Sequence, residues 1–156
     1  MRIENTKTGK FRKVKVDSLE KGDQKKIKNS DQFEFDWRLE KKKENNLYKL
    51  YLLDEKDEIL GLLSLKDIKD ELRIHINLIE ISKRNIGRDK KYDRIAGCLI
   101  AHACQLSFDK SYDGFVSLVP KTRLIDHYCK HYGFEQFGRQ LGLGYSASVN
   151  LIKKYL

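Results

Sequence analysis

The sequence predicts a single α/β domain whose mixed, mostly antiparallel twisted sheet is flanked by helices, and three observations predict it. Apolar side chains alternate through Leu72, Ile74, Ile76 and Leu78, the period of two that a pleated strand requires. Two apolar runs, Leu47 to Leu52 and Ile59 to Leu65, stand at hairpin distance across the charged turn Asp54 to Asp57. A cationic loop, Ser82 to Asp93, opens directly into the apolar helix pattern Arg94 to Leu106, and a short strand and a second helix follow.

Residues 1–16 are polar with a weak alternation at Phe11, Val14 and Val16, suited to a first edge strand. Asp17 or Ser18 is placed to cap a short helix from Leu19 to Ile27. Phe33, Phe35 and Trp37 then cluster before a turn at Glu44-Asn45-Asn46, where aromatics either fill a core or line an acceptor pocket. In the next run Tyr48, Leu50 and Leu52 share one strand face, and Leu47, Lys49 and Tyr51 the other. With Lys49 the only charge among them, both faces are covered, as in a sheet with helices on two sides.

The charged link Lys66 to Glu71 leads to the strand 72–81 and completes an antiparallel meander. Phe115 to Val119 form the following strand, Pro120 ends it, and a helix from about Lys121 carries Leu124, Ile125, Tyr128 and Tyr132 up to Gly133-Phe134. A glycine-punctuated strand runs on through Tyr145, and Ser146 is placed to cap a last short helix.

One domain suffices for 156 residues, since a chain of this length buries roughly two-thirds of its unfolded surface. Charged residues make up 35% of the chain and the mean hydropathy is -0.64; no apolar run approaches the roughly 18 residues of a membrane helix. The start, Met1-Arg2-Ile3-Glu4-Asn5, is not a signal peptide. Cys98, Cys104 and Cys129 are odd in number and form no C-x-x-C pair, so reduced core thiols in a cytoplasmic protein are expected. The net charge of +9 favours anionic partners, either nucleic acid or a small molecule with several phosphates. The clusters Lys25 to Lys28 and Lys41 to Lys43 lack interleaved aromatics and read as solvated faces.

The helix after the cationic loop begins with the small residues Ala96 and Gly97. A helix start offers unpaired amides and the positive end of the macrodipole, and small residues let a phosphate approach the main chain. Strand, cationic loop, helix, strand, and a Tyr-bearing helix closing on Gly133-Phe134 together resemble the GNAT family of N-acetyltransferases, over residues 72–134. That family's loop pattern is (Gln/Arg)-x-x-Gly-x-(Gly/Ala). Lys91 stands at its first position, Arg94 at its central glycine and Ala96 at its last. Only Ala96 matches outright, and an arginine at the glycine position must turn its side chain outward.

The resemblance implies that acetyl-CoA is the acetyl donor, with cofactor contacts at Ile79, Ile81, Arg88, Lys90, Lys91, Tyr92, Arg94, Ile95, Ala96 and Gly97. It implies that a main-chain N–H near Ile81 steadies the thioester carbonyl as it becomes an oxyanion. Tyr128 would protonate the leaving thiolate, with Tyr132 the competing assignment, and Glu80 would be the base toward the amine, with His75 as a second candidate. Tyr128 lies five residues before Gly133, one more than the family's common spacing, so the helix end must absorb an extra residue.

The acceptor implied is a primary amine of a small molecule or peptide, with no membrane involved; a homodimer is compatible with the reading. An aminoacyl-tRNA acceptor, or a basic binding module that keeps the scaffold without turnover, are the alternatives. His127 and His131 have metal-ligand spacing but no third ligand, so no metal is expected. No nucleophile elbow, Walker loop or dinucleotide-binding fingerprint is present.

Overall fold

A computed structural model describes residues 1–156 in full. The N-terminal stretch is a hairpin rather than one edge strand. Here β1 (Arg2–Asn5) pairs antiparallel with β2 (Phe11–Ser18) through Arg2↔Lys13, Ile3↔Arg12 and Glu4↔Phe11. Asn5 shapes its turn by accepting at Oδ1 from the amides of Lys7 (3.0 Å) and Thr8 (3.2 Å), a side-chain mimic of a backbone turn. Because β2 runs through Ser18, neither Asp17 nor Ser18 caps a helix; α1 (Asp23–Asn29) begins after Gly22.

A helix not anticipated from periodicity, α2 (Trp37–Lys42), is started by Asp36, whose side chain accepts from the Arg38 amide at 3.0 Å. The meander follows as expected with β3 (Asn46–Leu52), β4 (Glu55–Ile68) and β5 (Arg73–Ile81). Leu72 lies outside β5, which starts at Arg73 and not at residue 72 as the alternation predicts. It adopts a left-handed φ of 49° and is 56% exposed, because the chain must turn there after the 3-10 turn Lys69–Glu71.

Then come β6 (Tyr92–Asp93), α3 (Ile95–Asp109), β7 (Val116–Leu118) and, after a single 3-10 turn, α4 (Ile125–Tyr132). The tail is a hairpin, β8 (Glu135–Phe137) with β9 (Gln140–Leu143), and α5 (Tyr145–Tyr155) is entered from Gly144 instead of Ser146. The strand order in the sheet is β6-β1-β2-β3-β4-β5-β7-β9-β8, and β5 with β7 is a parallel pair in an otherwise antiparallel set of registers.

The chain divides into two compact units, residues 1–64 with 78–99 and residues 65–77 with 100–156. In the first, Ile27, Trp37, Leu47, Ile59 and Leu62 form a buried cluster joined by Leu19, Phe33 and Leu78. Trp37 is thus core, and Lys49 is buried in an ion pair with Asp23 at 2.8 Å. In the second, Ile74 and Ile76 of β5 share a register with Val116 and Leu118 of β7, which in turn pair with Leu143 and Leu141 of β9. No helix is long and apolar enough to cross a membrane.

Gly61 sets the approach of α3 to β4. A Cβ built there would lie 2.9 Å from Ile95 Cγ2 and 3.0 Å from Leu99 Cδ1. Only a residue without a side chain lets the first turn of the helix sit this close to the strand.

Candidate functional site

The site begins where β5 stops being paired. Its register with β7 covers Ile74 to Ile76 only. Ile74 donates to the β7 side, to the Phe115 carbonyl at 3.1 Å, whereas Ser82 donates to the β4 side, to the Leu60 carbonyl at 3.0 Å. Amides of equal parity on an unbroken strand point to one edge, so a one-residue slip of the bulge type lies between them. With Ser82 turned to β4, the Ile81 amide faces the opposite edge, beyond the last β5–β7 register pair.

Glu80 comes just before that edge and is 8% exposed. Its carboxylate accepts from Trp37 Nε1 (2.7 Å), the Glu34 amide (2.7 Å) and the Phe35 amide (3.4 Å). These bonds tie the 34–37 segment to the strand. Glu80→Leu should therefore strand the Trp37 and Glu34 donors and cost about 3 kcal/mol, measured as a lower midpoint in urea unfolding, whereas Glu80→Gln should recover part of the loss.

The loop after β5 is held by its own side chains. Asn85, 5% exposed, donates to Ser82 Oγ (2.7 Å) and accepts from the Tyr92 amide (3.0 Å). Gln32 anchors Lys83 and Arg84, while Thr6 takes the Lys90 and Lys91 carbonyls. Sequence reasoning missed Asn85, although an asparagine between two segments of a turn is a standing signal for such a clasp. Through β6 the loop joins the first hairpin, Asn5↔Tyr92 and Glu4↔Asp93.

At the end of the loop Arg94 has φ 78°, the left-handed backbone for which glycine is suited. Its carbonyl takes the first helical bond, from the Cys98 amide at 3.0 Å. The amides of Ile95, Ala96 and Gly97 therefore precede any intrahelical bond, and Ala96 and Gly97 place no bulk in front of them. The Arg94 side chain turns to β1, where Nε donates to the Arg2 carbonyl at 3.2 Å.

The expected flanking cations are partly engaged. Lys90 Nζ lies 2.9 Å from Asp93, Lys91 Nζ lies 3.9 Å from Glu58, and Arg88 is exposed. Surface pairs of this kind contribute only about 0–1 kcal/mol, so exchanging them for phosphate oxygens costs little. The arrangement can thus hold a diphosphate on three amides with cations alongside.

In the second unit, Tyr128 is half-buried on α4, its ring in an edge contact with Phe134 (5.7 Å) and a tilted one with Tyr132 (6.0 Å). Burial pushes its phenol above the usual tyrosine range. Gly133 at φ 81° closes the helix, and the Phe134 amide reaches back six residues to the Tyr128 carbonyl at 3.5 Å. That wide last turn absorbs the extra residue between Tyr128 and Gly133. Tyr132 is 8% exposed and packs against His127, His131 and Tyr155.

His75 Nδ1 lies 2.8 Å from Ser117 Oγ, which accepts from Arg73; burial, then Arg73, push the imidazole below its usual range. His127 and His131 stack with ring centroids 5.3 Å apart. The Cys98 and Cys104 thiols are pushed up to about 11 by burial and stay protonated, so neither offers a thiolate nucleophile.

Neither a protein-family model nor a curated protein matches the sequence. Solved structures do match. One is AtaTR bound with acetyl-CoA, at 15% identity and a TM-score of 0.64, covering 88% of this chain and 97% of that one. A second AtaT structure, complexed with acetyl-methionyl-tRNAfMet, matches at 14% identity and 0.62, covering 90% and 99%. Spermidine/spermine N-acetyltransferase SpeG from Vibrio cholerae matches at 18% and 0.61, covering 88% and 95%. An acetyltransferase of the GNAT family from Staphylococcus aureus matches at 10% and 0.58, covering 85% and 99%. The chain has the GNAT fold. Its mixed, mostly antiparallel sheet flanked by helices is the fold class expected from the sequence, here with nine strands.

Proposed function

We propose that residues 1–156 form one GNAT-type domain that transfers the acetyl group of acetyl-CoA directly to a primary amine. The observation that carries this reading is an Ile81 amide turned away from β4, past the last β5–β7 register pair, together with first-turn amides of α3 that precede any intrahelical bond. A thioester seated along that edge is held by main chain, and its diphosphate is met by Ile95, Ala96 and Gly97.

Acetyl-CoA supplies an activated acetyl group as a thioester. As the amine attacks, the Ile81 amide donates to the carbonyl oxygen while it gains charge. Tyr128 gives its proton to the departing thiolate, and its raised phenol keeps that proton available through the neutral range. Glu80 we assign as the residue that positions the 34–37 segment, because its oxygens are already committed to three N–H donors. The proton lost from the amine passes to water in this reading, and Arg88, Lys90 and Lys91 stand beside the phosphates.

Thermal-shift titration with acetyl-CoA, free CoA and heparin at equal ionic strength tests the reading. Specific binding should add about 2.7 kcal/mol at a hundredfold excess over Kd. A shift no larger than that from heparin overturns it.

An aminoacyl-tRNA is a second acceptor reading, favoured by the net charge of +9 and by the likeness to AtaT, which has been seen with acetyl-methionyl-tRNAfMet. An amine and aminoacyl-tRNA panel with acetyl-CoA decides between the acceptors.

A further inference from the structure

We propose that the open face of the first hairpin is a docking surface for single-stranded nucleic acid, built around Phe11. Phe11 is 52% exposed on β2. The Arg2 guanidinium lies 5.4 Å from its ring centroid and the Arg94 guanidinium 5.9 Å, so two cations sit over a ring that is about half exposed. Register sets Arg2 directly opposite Lys13, a like-charge pair across two strands that disfavours the hairpin by itself. Lys7 and Lys10 stand exposed in the turn. Glu4, across from Phe11, is the one carboxylate among the residues of these register pairs.

Arg94 makes the case stronger. At φ 78° a residue with a side chain is strained by about 1–2 kcal/mol, and the position is one that glycine would occupy without strain. The arginine found there sends its side chain to the Arg2 carbonyl and toward Phe11. A strained residue held in place by a surface cluster points to a use for that cluster.

The chemistry fits one ligand class. Unstacked bases lie on exposed aromatic rings, guanidinium groups add cation–π and phosphate contacts, and lysines follow the backbone. A duplex keeps its bases stacked inside and cannot use Phe11. An acidic protein surface would use the cations but gain nothing from an open ring.

The surface does not depend on acetyl transfer, so the two readings fail separately. With the full chain, fluorescence anisotropy should be measured on a labelled single-stranded oligoribonucleotide, a duplex of the same sequence, and heparin as competitor. The single strand should bind tighter than the duplex. Phe11→Ala should weaken it at least about fivefold with the salt slope unchanged, and Phe11→Tyr should restore it. Lys13→Ala should instead lower the salt slope by about 0.7. Acetyl-CoA thermal shifts should be the same in Phe11→Ala as in the parent, which also reports that the variant is folded. Equal affinity of parent and Phe11→Ala for the single strand, or equal binding of single strand and duplex, overturns the proposal.

Discussion

Replacing Tyr128 with phenylalanine is expected to lower acetyl transfer about a hundredfold while leaving acetyl-CoA affinity nearly unchanged. The ring's packing against Phe134 and Tyr132 survives the loss of one oxygen, so the helix end and its Gly133 cap should hold. What disappears is the proton. Without it the thiolate leaves as an anion, a cost felt in the transition state rather than in binding, so turnover falls and KM does not.

The pH profile separates this from a packing defect. In the proposed role the working form of Tyr128 is the protonated phenol, and burial raises its pKa. Activity should persist through neutral pH and decline only as pH climbs through that raised value. In the phenylalanine variant the alkaline decline should be missing. Tyr132→Phe is the control. Its ring is buried among His127, His131 and Tyr155, and the change should leave turnover close to the parent. Unaltered turnover in Tyr128→Phe would remove that residue from the mechanism.

Where one periodicity runs long enough, the fold was legible in the sequence. The runs that became β3, β4 and β5 alternate or stay apolar over many residues, and α3 is apolar over most of its surface, with His102, Gln105 and Asp109 on its less buried face. Elements specified by one side chain or by a distant partner were not legible. The β1–β2 turn rests on Asn5 Oδ1, α2 rests on the Asp36 cap, and β6 is two residues long and exists only as a partner of β1.

The same division runs through the site. The cations, the small residues Ala96 and Gly97 and the phenol of Tyr128 sit within one local pattern, so the proposed anion cradle and the proposed acid can both be named from sequence. Glu80 is expected as a base because it stands at the end of the strand where the amine would lose its proton, and the only partners visible in its own neighbourhood are Lys83 and Arg84. Its partners Glu34, Phe35 and Trp37 arrive from more than forty residues upstream. The left-handed backbone of Arg94 was hidden for a related reason, since an arginine carries no local signal for φ 78°.

Ala96→Glu puts the anion cradle to the hardest test because stability and binding should move in opposite directions. Arg94 supplies the first helical carbonyl, so Ala96 is the second residue inside α3, in the first turn where the macrodipole favours a negative side chain. A glutamate there should leave the melting temperature unchanged or raise it by the equivalent of about 0.3–1 kcal/mol. The same carboxylate would stand against a bound diphosphate, and like charges so placed cost several kcal/mol, so acetyl-CoA affinity should drop about a hundredfold or more. Ala96→Gln isolates charge from bulk and should lose less than the glutamate variant. A chain that stays folded and still binds acetyl-CoA with a glutamate at residue 96 would show that the diphosphate is not held at the start of α3, and the assignment of Ile95, Ala96 and Gly97 would fall with it.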